Sequence, residues 1–169
     1  MHDHPTPLCI YCVYIIVLAV GALAVSGCVE TATYSHANKK PPAAAIADPQ
    51  IWRLGGNLYN PGHAADGSTS TAAVSDPAYH NATLTIDLGK PCLFNAIFIA
   101  HGPSAMGFCR RVAVLTSLDG KHFSQQHVGP GTRRVTSLCI IKPVLARYIR
   151  LQAIIPGDRA WSIGEVYIQ

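Results

Sequence analysis

The densest chemistry in this chain is "AADGSTST", residues 64–71. Here an Asp-Gly pair and four small hydroxyl residues stand together in a sequence only 13% charged. Three readings are open. The Asp66 side chain can close an ordinary turn. Its carboxylate, with hydroxyl and carbonyl oxygens, can offer a loop to a hard cation. The loop can also seat a serine nucleophile. The third fails, because Ser68 and Ser70 lack the Gly-x-Ser-x-Gly elbow and "GPSAMG" at 102–107 has the wrong spacing for one. The remaining inventory also argues against catalysis. Asp119 in "LDGKHF" and Asp158 in "PGDR" belong to turns, while Asp76, Asp87 and Glu165 have no recognisable paired setting. His36, His63, His80, His101, His122 and His127 form neither H-x-H nor HExxH. The sequence reads as a non-catalytic protein.

Binding chemistry is richer. "AHGPSAMGFCRR", residues 100–111, brings a donor (His101), an aromatic face (Phe108) and two cations (Arg110, Arg111) into one loop. An aromatic under a ring, with polar groups at its hydroxyls, is how proteins hold sugars. The plainer reading puts Phe108 in the core and the arginines on a solvated rim. Tyr59, Asn60 and His63 in "NLYNPGH" are further candidates for the same end. Formal charge is +4, with basic residues in scattered pairs such as Lys39-Lys40 and Arg133-Arg134. Nucleic-acid binding needs a denser stripe, so no nucleic-acid partner is expected.

The elements that must position these residues read as strands. In "ATLTIDLG", Leu84, Ile86 and Leu88 alternate with Thr83, Thr85 and Asp87, the period of a half-buried strand. "FNAIFIAHG", "RRVAVLTS", "RVTSLCIIKP", "RYIRLQAII" and "IGEVYIQ" follow as separate strands, with a hairpin turn at Asp119-Gly120. In "ARYIRL", Ile149 and Leu151 share a face with Arg147, opposite Tyr148 and Arg150. No helical period is sustained after the first segment. Turn signals recur roughly every ten residues, and an all-β sandwich follows.

Three segments in order, "AADGSTST", "LTIDLGKPCLFNAIFI" and "ARYIRLQAIIPGDRAWSIGEVYI", resemble the discoidin or coagulation factor 5/8 type C domains, a galactose-binding-like jelly-roll group. The resemblance covers residues 51–169. It implies a discoidin-like jelly-roll β-sandwich and a non-catalytic module, in many members carbohydrate-binding and in some binding lipid head groups or proteins. It also places Trp161 as a core anchor. By the family pattern the 64–71 loop helps hold a structural calcium through Asp66, Ser68 and Thr71, completed by Glu165. Ser68 replaces the family's second acidic residue here, and Ala73 stands where a tryptophan is usual. One carboxylate fewer implies a weaker calcium site or a plain Asx-type turn.

The beginning of the chain is different in kind. Residues Cys9 to Val25 carry no charge and end in "VSGC", which is similar to the lipobox of bacterial lipoprotein signals. That implies lipidation at Cys28, or a retained apolar anchor, and a place in the cell envelope. Val29 behind the cysteine implies outer-membrane sorting in a Gram-negative host. The n-region "MHDHPTPL" departs from the pattern in having no Lys or Arg. The expected layout is a signal segment 1–28, a tether 29–47 rich in small residues with Pro-Pro, and one domain 48–169. Cys92, Cys109 and Cys139 permit one disulfide and one leftover thiol in an oxidising compartment. The expected function is a surface-anchored module that binds an extracellular glycan. The alternative is an assembly domain that packs against a protein partner in the envelope.

Overall fold

The alternation of "ATLTIDLG" becomes burial. Leu84, Ile86 and Leu88 are fully buried, while Thr83, Thr85 and Asp87 are partly exposed. The computed structural model describes residues 48–77 and 81–169. The readings placed on residues 1–47, Cys28 among them, and on His80 lie outside the described residues.

A single 3-10 turn, Pro49–Ile51, leads into strand β1, Arg53–Gly56, and a second, Pro61–Ala65, precedes the 64–71 loop. The strands that follow are β2 Ala73–Val74, β3 Thr83–Ala100, β4 Arg111–Ser117 and β5 Ser124–Pro130. The chain closes with β6 Val135–Ile155, β7 Ser162–Ile163 and β8 Glu165–Ile168. All pairings are antiparallel.

Two stretches read from sequence as separate strands prove continuous. "ATLTIDLG" and "FNAIFIAHG" are the halves of β3, and "RVTSLCIIKP" and "RYIRLQAII" are the halves of β6. Gly89, at φ 80°, and Pro91 read as breaks. The ladder absorbs them through register shifts between Asp87 and Cys92 and between Phe94 and Ala96. Such irregularities bend a strand without ending it. The bent pair therefore serves both layers. The first halves of β3 and the second halves of β6 lie between β1 on one side and β4–β5 on the other. The remaining halves pair with each other and with β8.

Between the layers, Leu84, Ile86, Val112, Val114, Ile149 and Leu151 join Ile97, Ile99, Leu138, Ile163 and Val166 in one apolar cluster. In "ARYIRL" the aliphatics are fully buried, and the arginine heads turn to polar partners. Arg147 Nε and Nη2 donate to the two Asp87 oxygens at 2.8 and 3.0 Å. Arg150 Nε donates to Thr85 and its guanidinium lies 3.9 Å from the Phe123 ring centroid. Cys92, Cys109 and Cys139 are all free thiols. The disulfide that their number permits is not formed among them, with Cys92 opposite Ala146 and Cys139 opposite Ala96 on the β3–β6 ladder.

Candidate functional site

The loops at the β4 N-terminal end meet because two backbones touch. A Cβ at Gly157 would stand 2.0 Å from Phe108 O, so only glycine lets the 156–160 turn lie against the 108–110 segment. Arg110 N donates to Ile155 O at 2.9 Å and Ser75 N donates to Trp161 O at 2.8 Å. Those bonds draw the β2–β3 loop, the start of β4 and the β6–β7 turn around a cavity of about 80 Å³. Ser75, Asp76, Cys109, Asp158, Arg159 and Trp161 are among its lining residues.

Its rim is polar, and one of its lining residues carries an unmet donor. Arg110 Nη2 reaches Asp158 at 2.6 Å, an exposed pair. The Tyr59 ring is 62% exposed, and its hydroxyl donates to Asp76 Oδ2 at 3.4 Å. Trp161 is buried, as a core anchor should be, yet its indole N–H has no hydrogen-bond partner among the described residues. A buried orphan donor costs about 1–3 kcal/mol unless something accepts from it. Burial pushes the neighbouring Cys109 thiol up to about 12, so it stays protonated.

The residues proposed from sequence separate into groups. Arg110 and Tyr59 stand at the rim of this cavity through their carboxylate partners. Arg111 is exposed at the first position of β4. Asn60 is exposed in the left-handed conformation and starts the second 3-10 turn. His63 is half-buried, with Nδ1 3.3 Å from Ala72 O. His101 requires a correction. It is fully buried, with Nδ1 2.7 Å from Ser162 O and Nε2 2.9 Å from Thr136 Oγ1. Desolvation lowers its pKa, holding it neutral, and it is a structural polar link rather than a ligand contact. Phe108 is half-buried with its ring 6.2 Å from that of His101, facing the same interior. Asp76, Asp158 and Arg159 carry the polar lining and were not singled out as ligands from sequence. Asp158 reads locally as a turn residue, and nothing local signals its pairing with Arg110 across 48 residues.

The 64–71 loop folds on itself. Ser68 N donates to Asp66 Oδ1 at 2.9 Å, which is an Asx turn. Thr71 Oγ1 lies 2.7 Å from Asp66 Oδ2 and 3.1 Å from Ser68 O. Glu165 is buried and accepts from Gly67 N at 3.1 Å. Hydrogen bonds from Thr71 and Ser68 lower the Asp66 pKa, while burial, and next the nearby Asp66 charge, raise that of Glu165. Two carboxylates, a hydroxyl and a carbonyl converge, so the oxygen set fits calcium in kind. With each carboxylate counted once these are four oxygens, fewer than the six to eight calcium takes.

Comparison with known proteins adds the family. The fold is similar to a Clostridium perfringens module, CpGH89CBM32-5, solved with GalNAc-β-1,3-galactose. The TM-score is 0.66 and identity 17%, covering 73% of this chain and 99% of that one. It is similar to the family 32 carbohydrate-binding module of Clostridium perfringens NanJ, solved with galactose, at TM-score 0.65 and 17% identity over 73% and 97%. A third, CBM32-3 from a Clostridium perfringens family 31 glycoside hydrolase, aligns at TM-score 0.61 and 19% identity over 72% and 92%. No curated protein matches in sequence. The pattern of the F5/8 type C domain matches residues 30–166, most of the chain and including every strand that frames the cavity, and the chain belongs to that family.

Proposed function

We propose that the protein is a non-catalytic glycan-binding module that takes a terminal sugar at the loop-end cavity. The observation that carries this reading is Trp161, whose buried N–H is unpartnered, in the lining of a cavity with Asp76 and Asp158. In this reading a sugar substituent enters the cavity and accepts from the indole. Ring hydroxyls bridge the Arg110–Asp158 pair, and the exposed Tyr59 ring takes an apolar sugar face. The ligand-bound structural neighbours, one with galactose and one with a GalNAc-galactose disaccharide, support the choice of galactose-type ends. Calcium belongs to the same proposal: Asp66, Ser68, Thr71 and Glu165 would hold it, and its charge would offset the two facing carboxylates. Surface anchoring through Cys28 or the apolar segment before it completes the reading.

A second reading, docking of an envelope protein, is favoured by the cross-strand pair Leu93 and Leu145, 54% and 56% exposed. A glycan array probed with the full chain in a non-glycosidic detergent separates the two. Galactose- or GalNAc-terminated hits that disappear in Asp158→Ala and Tyr59→Ala are expected. A blank array from folded protein overturns the glycan reading in favour of the docking one.

A further inference from the structure

β4 connects two clefts. Its first residue, Arg111, lies beside the cavity described above, and its last two, Thr116 and Ser117, line a second cleft of about 370 Å³ at the other end. At about 3.3 Å per residue the two lie about 20 Å apart along the strand. The second cleft is walled by Leu118, Val144 and Leu145 and by Asp119, His122, Ser124 and Gln126.

Its polar groups are built rather than scattered. Thr116 and Ser117 are 4% and 5% exposed. Ser117 Oγ is committed to the hairpin: it donates to Asp119 Oδ1 at 2.8 Å and accepts from Gly120 N at 3.0 Å. Asp119 is held in place, since its Oδ2 lies 2.7 Å from His122 Nδ1 and its Oδ1 accepts from Lys121 N and His122 N. The Thr116 hydroxyl, by contrast, makes no hydrogen bond among the described residues although its residue is more than nine-tenths buried. Gln126 donates its amide to Ser124 Oγ at 2.9 Å, which leaves the Gln126 carbonyl as an acceptor and the Ser124 hydroxyl as a donor. His122 keeps Nε2 uncommitted.

The cleft therefore presents donors and acceptors beside an aliphatic wall. Its carboxylate, Asp119, has both oxygens taken up by Ser117, His122 and two backbone N–H groups, so it is not free to pair with a cationic ligand. A purely apolar ligand would bury the Thr116 hydroxyl without a partner. A neutral polyhydroxylated ring, with C–H groups on one face and hydroxyls at its edge, satisfies both walls. A cleft of this size also lies in the range that holds a small ligand. We infer that the Thr116–Gln126 cleft is a second saccharide site, formed by the end of β4, the β4–β5 hairpin and the bend of β6. It goes beyond the first cleft and shares with that reading only the class of ligand.

The test follows the Leu118, Val144, Leu145 and Ala153 methyls by NMR on the full chain in a non-glycosidic detergent. The probes are galactose, N-acetylgalactosamine, glucose and mannose. At least one sugar should shift the Leu118, Val144 and Leu145 methyls in a saturable way. Thr116→Val and Gln126→Ala should each weaken that response at least ten-fold, Thr116→Ser should keep it, and Asp158→Ala should leave it unchanged. The inference is overturned if none of the four sugars moves these methyls. It is equally overturned if the shifts survive Gln126→Ala at unchanged affinity, or if Asp158→Ala abolishes them. Ala153 reports the first cavity independently: its silence while the other three methyls respond leaves this site standing and removes the first.

Discussion

Three thiols in one domain differ in reactivity because burial differs. Cys139 sits exposed on β6, while Cys92 and Cys109 are buried and Cys109 is raised to about 12. The thiolate is the reactive form, so among these three an aromatic disulfide reagent should label Cys139 at pH 8 in the native state. Cys92 and Cys109 should react only on unfolding, read by mass spectrometry of the labelled peptides. Rapid native labelling of Cys109 would contradict the packing of the 156–160 turn. Glu165 offers a second residue-scale test. Its folded pKa is raised by burial and by Asp66, so its contribution is fully present below the ordinary glutamate value and is lost as pH rises through the raised one. In EDTA, Glu165→Gln should therefore raise Tm at pH 7 and remove part of the gain the wild type shows on acidification through that window. With calcium bound the sign reverses. A ligand at roughly 100-fold its Kd adds about 2.7 kcal/mol, so calcium should raise the wild-type Tm and leave Glu165→Gln unmoved. A wild type indifferent to calcium would leave the 64–71 loop a plain Asx turn.

At the scale of elements, the ties between strands decide what can be changed. Arg147 and Asp87 join β6 to β3 through a two-pronged pair in which Asp87 is the more buried partner. The Arg147 guanidinium, chiefly through its hydrogen bonds, holds the Asp87 carboxyl below the usual carboxylate range. Arg147→Ala should lower stability in urea melts at pH 7, and the difference from wild type should shrink as pH falls below about 4. A constant difference across pH would assign the loss to packing instead. Gly157→Ala should be worse for function than for stability, because its Cβ meets Phe108 O and forces the cavity wall outward. The sandwich was legible because period-two patterns such as Leu84, Ile86 and Leu88 record burial directly. The fusion of strands into β3 and β6 was not, since Gly89 and Pro91 signal a break locally while the register shift that rescues the pairing is set by β6. His101 misled for a similar reason. Its partners Thr136 and Ser162 lie 35 and 61 residues away, and a histidine before Gly-Pro looks like a rim residue without them. The cavity wall was half legible. Arg110 and Tyr59 stood out by type, but Asp76, Asp158 and Arg159 become neighbours only through the fold.

At the scale of the whole molecule, β4 separates the two ends of the sandwich. The described chain enters at Pro49–Ile51, and the Ile51 Cδ1 would lie 3.6 Å from a Gly89 Cβ, at the bend of β3. Asp87 at that bend pairs with Tyr148, and Tyr148 with Ser117, so the chain enters at the Ser117 end of β4. The loop-end cavity is at the Arg111 end. The proposed anchor makes its own prediction. Cys28→Ser should abolish incorporation of radiolabelled palmitate, whereas a change at Cys9 or Cys12 should not. If the Cys28→Ser protein then leaves the membrane pellet, the lipid is the anchor. If it stays, the Cys9–Val25 segment holds the protein by itself, and lipidation at Cys28 is not what places it. Undiminished palmitate incorporation in Cys28→Ser would refute the lipobox reading outright.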